Sequence, residues 1–75
     1  MTQHPAIANV LRFFSHDHLP DRLAEVSRPF ADLAHGLVAR PDLDGPELTV
    51  ALRKLLESKD AAVRASLIAQ AGEDL

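Results

Sequence analysis

Between residues 23 and 37, apolar side chains recur at alternating steps of three and four residues. The stripe consists of Leu23, Val26, Phe30, Leu33 and Leu37. This period places all five side chains on one side of an α-helix, as in a seam between two packed helices. The sequence therefore predicts a helix over residues 20–39, with Pro20 in its first turn, that packs against another helix.

A proline lies inside this predicted helix. Pro29 has no N–H to donate to the carbonyl of Glu25, and its ring crowds that carbonyl. The apolar stripe keeps its phase on both sides of Pro29, so we predict a kink here rather than a break.

Two further helices are predicted, one on each side of the first. Residues 5–14 carry apolar side chains at helical spacing, namely Ile7, Val10, Leu11 and Phe14. Residues 46–71 carry a longer apolar face, formed by Leu48, Leu52, Leu55, Leu56, Val63 and Leu67. The short loop at residues 40–45 requires the two long helices to run antiparallel, and Gly72 is a plausible stop for the last helix.

Length and composition favour an assembly of several copies. The chain has 75 residues, which we interpret as one helical hairpin domain over residues 1–75. A domain of this size buries only about 60% of its unfolded surface, and without cysteine it has no disulfide to stabilise it. Since 47% of the residues are hydrophobic, we predict an all-α, homo-oligomeric fold: a short N-terminal helix followed by a long kinked antiparallel hairpin.

Net charge and hydropathy exclude several classes of partner. The formal net charge of −3 argues against binding of a DNA or RNA duplex, although a local basic pocket for a small anion remains compatible with it. The sequence has no apolar run near the ~20 residues of a membrane span and no secretory signal at its start. We therefore expect a soluble protein of the cytoplasm that does not bind membranes.

The histidines give little support to catalysis. His16 and His18 flank Asp17 and could chelate a metal, but the sequence offers no tight cluster that would supply a third protein ligand. It also has no phosphate-binding glycine motif and no recognisable nucleophile–histidine arrangement. We expect a protein that is not an enzyme and that has no metal and no cofactor.

A few residues stand out as candidates for binding. Phe13 points about 100° away from the core candidate Phe14, so it is available for a subunit contact or for stacking on a base. Counting outward from the loop places Pro29 opposite residues 57–60. Arg28 could therefore pair with Asp60. Alternatively, three basic side chains could form a phosphate-binding pocket, because guanidinium groups match phosphate oxygens. These are Arg28, Lys59 and Arg64.

Two segments of the chain resemble the two halves of a phage helical hairpin. The first is FSHDHLPDRLAEVSRPFADLA, residues 14–34, and the second is GPELTVALRKLLESKDAAVRA, residues 45–65. The strings H-L-P, V-S-R-P-F and L-R-K-L-L-E-S-K-D-A-A-V-R-A carry the resemblance, which covers about residues 13–68. The chain is thereby similar to the phage anti-CBASS cyclic-nucleotide sponges, whose hairpin is shared with an anti-Thoeris sponge.

This resemblance implies a viral immune-evasion protein in the host bacterial cytoplasm. It implies a homohexamer that binds cyclic dinucleotides and cyclic trinucleotides without cleaving them, so that the signal does not reach the host's effector. By position, base stacking falls to Phe13 or His16, a phosphate contact to Arg28, and a trinucleotide contact to Arg64. His16 stands where the family often has tyrosine, which leaves the preferred nucleotide open. A sponge for a cyclic ADP-ribose-type signal and a purely structural oligomerisation module are the alternatives.

Overall fold

The computed structural model describes residues 5–73, and its regular secondary structure over that range is all α-helical, as predicted. It contains three helices, α1 (Pro5–Arg12), α2 (Asp21–Val38) and α3 (Gly45–Glu73), and no strand among the described residues. The predicted domain bounds, 1–75, extend beyond this range at both ends. The α2–α3 interface is the most extensive, and α1 packs on both long helices. The molecule is elongated, with extents of 50 × 20 × 17 Å.

The first helix ends two residues before its predicted end. The N–H groups of Phe13, Phe14 and Ser15 donate to carbonyls three residues earlier, with N–O distances of 3.0–3.3 Å. This tighter spacing closes the end of the helix and leads into the turn before α2. Phe14 nevertheless has none of its surface exposed and belongs to the core, together with Ile7 and Val10.

The second helix begins after Pro20 rather than at it. Pro20 is the N-cap residue with φ −54° and ψ 150°, and its carbonyl accepts the N–H of Ala24 at 2.9 Å. The helix then continues without interruption through Pro29 to Val38, with Ala39 as the C-cap. The chain is therefore not broken at Pro29, and the kink there stays a prediction.

The most buried side of α2 differs from the predicted apolar stripe. Its buried positions are Ser27, Ala31 and Ala34. Leu33 of the stripe, in contrast, is 52% exposed, and the other four stripe residues are partly buried. The prediction that the stripe is buried assumed that α2 packs against one other helix. Because α1 and its following turn also pack on α2, the buried side is rotated toward residues small enough to allow close approach.

The third helix provides the other wall of the core and extends past it. Gly45 opens the helix with φ +81°, a value that glycine adopts without strain, and Leu48 and Leu52 are buried against α1 and α2. The helix continues through Gly72 to Glu73, so the prediction that it stops at Gly72 is wrong. With 29 residues against 18 in α2, α3 is much the longer of the two, and every residue from 67 to 72 is exposed.

The loop between α2 and α3, residues 39–44, is braced by one ion pair. Arg40 donates from Nε to Oδ1 of Asp42 at 2.9 Å and from Nη2 to Oδ2 at 2.6 Å. This two-pronged hydrogen bonding raises the pKa of Arg40 and lowers the pKa of Asp42. Both side chains are more than half exposed, so solvent screens the pair and its contribution to stability is small.

Candidate functional site

The turn after α1 and the side of α2 that it faces form a polar cleft of about 420 Å³. Its apolar walls are formed by Ala8, Leu11, Phe14 and Ala31. Its polar lining is formed by Arg12, Ser15, His16, Asp17, Asp32 and His35. A volume of this size falls within the range of about 300–1,000 Å³ that is usual for small-molecule sites.

Three elements position these side chains. The 3₁₀-like end of α1 places Phe14 in the core, so that its ring closes the inner end of the cleft. The turn that follows carries His16, which is half-buried. From the other side, α2 contributes Asp32 and His35, which share a helix face because they are three residues apart. The cleft thus combines an apolar lining with two imidazole rings and with hydrogen-bonding groups of both signs of charge.

Of the predicted binding residues, His16 is the one that lines this cleft. Phe13 lies in the turn beside it and is 65% exposed. Its predicted role, stacking on a base or contacting another subunit, stays a prediction. The contrast with the fully buried Phe14 follows from their adjacent positions, which direct the two rings to different sides.

Arg28 lies next to the cleft along α2. It is exposed, and Asp32 and His35 follow it at steps of four and three residues, so the three share one face of the helix. The alternative that Arg28 pairs with Asp60 is not what the structure shows: Asp60 pairs with Lys59 at 2.8 Å, and across residues 5–73 Arg28 has no ion pair.

Lys59 and Arg64 do not line the cleft. Both belong to α3. The Lys59 side chain is only 12% exposed and is paired with Asp60, whereas Arg64 is exposed. Five residues on a helix turn the side-chain direction by about 140°, so the two cations do not share a side of α3. Within one chain they do not converge with Arg28, and a site containing all three would require groups from more than one copy.

A second groove lies between α1 and the start of α3 and is mainly apolar. It has a volume of about 370 Å³ and includes Ala6, Ile7, Thr49 and Val50, with Arg53 as its charged member. It offers few groups that could orient a polar ligand. We therefore regard the polar cleft as the candidate binding site.

Sequence reasoning missed Asp32 and His35 as members of the site. Their spacing from Arg28 indicates that all three residues lie on one face of a helix. The sequence did not show that the turn after α1 packs beside that face, which is what turns it into one wall of a cleft.

Metal binding finds no geometric support in the described range, where no three histidine, aspartate or glutamate side chains are grouped closely enough to hold an ion. None of the helices between residues 5 and 73 combines the length and the apolar character needed to cross a membrane. The chain matches no protein-family model, and no curated protein or solved structure shows significant similarity to it.

Proposed function

We propose that the chain is a phage anti-defence protein that binds and sequesters bacterial cyclic di- and trinucleotide immune signals without cleaving them, in the cytoplasm of the host. The observation that carries this proposal is the polar cleft with Arg28 on the adjoining turn of α2. A nucleotide needs a surface for its base and a cation for its phosphate. The groups that support the proposal are the half-buried His16 in the cleft and the exposed Arg28, one helical turn before Asp32.

The chemistry of the cleft suits capture rather than turnover. Aromatic and imidazole rings stack on bases largely independently of sequence, and a guanidinium group binds phosphate oxygens through parallel N–H donors. One wall of the site lies on the packed helix α2, so that wall loses little conformational freedom on binding, which favours tight retention of the ligand.

Association of several copies is part of this proposal. Apolar side chains remain exposed on several sides of the single chain, notably Phe13, Leu33, Leu67 and Ile68. In a homohexamer such residues would be covered, and Arg64 of one copy could complete a site formed by Arg28 of another. This arrangement would also explain why the candidate basic residues are separated within one chain.

Calorimetric titration with a panel of cyclic nucleotides tests the proposal. The panel contains cyclic dinucleotides, cyclic trinucleotides and a cyclic ADP-ribose. We expect saturable binding of a di- or trinucleotide, and chromatography after heating the complex should recover that ligand intact. Binding of none of them would contradict the sponge function. Binding of the cyclic ADP-ribose alone would indicate that the protein sequesters that signal instead. Recovery of a linear product would contradict binding without cleavage.

The contribution of Arg28 is tested by Arg28→Ala, with Arg53→Ala as the control of equal charge change outside the cleft. Loss of a charge-assisted phosphate contact should weaken capture by about tenfold or more. The melting temperature should change little because Arg28 is exposed and unpaired. If Arg28→Ala instead lowers the melting temperature and leaves affinity unchanged, Arg28 is a structural residue.

A structural oligomerisation module is the second candidate, because the exposed apolar side chains support association without requiring a ligand. Under this interpretation the cleft would be an incidental surface feature, and the chain would associate without binding any nucleotide. Sedimentation analysis that shows an oligomer, together with calorimetry that shows no nucleotide binding, would select this candidate over the sponge.

A further inference from the structure

The cleft between the α1–α2 turn and α2 has an asymmetric set of hydrogen-bonding groups. We propose that it is a nucleobase site in which Asp32 and His35 select guanine over adenine. This inference rests on the proposed function, and it goes beyond that function by specifying which base the site prefers and which residues make the choice.

The cleft has an apolar part that could receive the ring of a base. It is lined by Leu11 and Ala31 together with Phe14, which is completely buried. The volume of about 420 Å³ lies in the lower part of the usual range for ligand sites. We infer that one base with its sugar enters each cleft, and that the rest of a cyclic nucleotide extends outward along the protein surface.

The α2 wall presents an acceptor and an imidazole at adjacent positions. An ionised carboxylate can only accept hydrogen bonds, and an imidazole N–H donates one. The Watson–Crick edge of guanine carries two donors, N1–H and the N2 amino group, beside the acceptor O6. Asp32 can accept from both donors while His35 donates to O6. Single-stranded bases are commonly recognised by such contacts to their edges.

Adenine fits the same pair of groups less well. In the orientation of guanine its acceptor N1 would face the acceptor-only carboxylate of Asp32, and with the ring turned over its amino group donates to Asp32 while N1 accepts from His35. Adenine therefore makes one hydrogen bond fewer with Asp32 than guanine does, and a carboxylate oxygen that loses water without gaining a donor costs free energy. The discrimination against adenine arises from this missing donor.

The remaining charges orient the ligand. Asp17 and Asp32 both line the cleft and disfavour a phosphate inside it. Arg12 also lines the cleft, and Arg28 lies one helical turn before Asp32. A phosphate is thus directed toward a guanidinium at the edge, and the base is directed inward. The histidine on the turn, His16, remains available to stack on the base from the α1 side.

The test compares cyclic di-GMP with cyclic di-AMP, by calorimetry, on the full chain and on Asp32→Asn. The unsubstituted chain should bind cyclic di-GMP about tenfold or more tightly than cyclic di-AMP, in line with the discrimination of a good two-bond base contact. Asp32→Asn replaces one acceptor by a donor. It should weaken cyclic di-GMP binding by a similar factor and leave cyclic di-AMP binding unchanged or stronger.

Asp44→Asn in the α2–α3 loop is the matched control, because it makes the same charge change away from the cleft and should preserve the preference. Circular dichroism checks that Asp32→Asn, an exposed position, remains folded. Equal loss of affinity for both dinucleotides, or no initial preference for cyclic di-GMP, would overturn the guanine inference and leave the sponge function standing. Failure of the unsubstituted chain to bind either dinucleotide or any other member of the panel would overturn both.

Discussion

Ser27 shows how closely α2 packs against its neighbours. It lies on the buried side of α2, none of its surface is exposed, and its hydroxyl has no hydrogen-bond partner among the described residues. A buried polar group without a partner costs free energy. Its small size is nevertheless suited to its position, because a larger side chain would separate α2 from its neighbours.

We expect Ser27→Ala to stabilise the protein by about 1 kcal/mol, because it removes the unpaired hydroxyl without creating a cavity. Urea unfolding measures the change. Ser58→Ala on the exposed side of α3 is the control, since it shares the gain in helix propensity but relieves no buried group. A Ser27→Ala variant no more stable than Ser58→Ala would show that the hydroxyl is satisfied in solution.

The loop ion pair gives a prediction for pH. The hydrogen bonds from Arg40 lower the pKa of Asp42 in the folded chain, so the stabilisation from this carboxylate is present above its unfolded pKa of about 3.9. It is lost as the pH falls through the lower folded value. A carbon-13 NMR titration of the Asp42 carboxyl should therefore have a midpoint below about 3.9.

In the Arg40→Gln variant, the Asp42 midpoint should rise, because the cation that favours the charged form is gone. High salt should raise it in the same direction by screening the pair. A midpoint that does not respond to Arg40→Gln would mean that the pair does not persist in solution.

At the scale of the elements, the core depends on the way α1 packs across the hairpin. Ile7, Val10 and Phe14 pack with the small residues of α2 and with Leu48 and Leu52 of α3. The hairpin alone would leave these faces open to water. The short first helix is thus an integral part of the core, and its following turn also builds the candidate site.

Leu52 tests this description of the core. Because it is fully buried between the helices, Leu52→Ala should destabilise the protein by about 2–5 kcal/mol through lost apolar burial and the cavity left behind. Val50→Ala, at a position on the same helix that is 45% exposed, should cost less than about 1 kcal/mol. Urea denaturation at one fixed protein concentration compares them, and similar costs at the two positions would contradict the observed packing.

At the scale of the whole molecule, a long helix extends beyond a small core. The other described residues leave the last turns of α3 uncovered. Residues 67–72 are all exposed, and Ile68 is 73% exposed. Apolar side chains grouped at one end of an elongated molecule favour association. This observation supports the proposed oligomer independently of the cleft.

Replacing both Leu67 and Ile68 by serine should shift the protein toward smaller species in sedimentation velocity over a dilution series, because the apolar surface that drives association is reduced. Ala61→Ser, at another exposed position of α3, should not change the distribution. An unsubstituted chain that sediments as a monomer at every concentration would contradict self-association altogether.

The pattern of residues was sufficient to predict the elements. Apolar spacing, the prolines near helix starts and the acidic loop residues together indicated three helices, and Phe14 was correctly assigned to the core. These features are local, because they depend on the 3.6-residue period of the helix and on the backbone preferences of proline and glycine.

Only the tertiary structure decided which side of each helix is buried and which polar groups meet. Leu33 belongs to the apolar stripe, yet it is more than half exposed, while Ser27 is buried, because a third element changed the direction in which α2 packs. For the same reason Asp32 and His35 line a cleft that the sequence did not reveal. Contacts between segments distant in the chain depend on how helices dock, and a helical period specifies faces without specifying their partners.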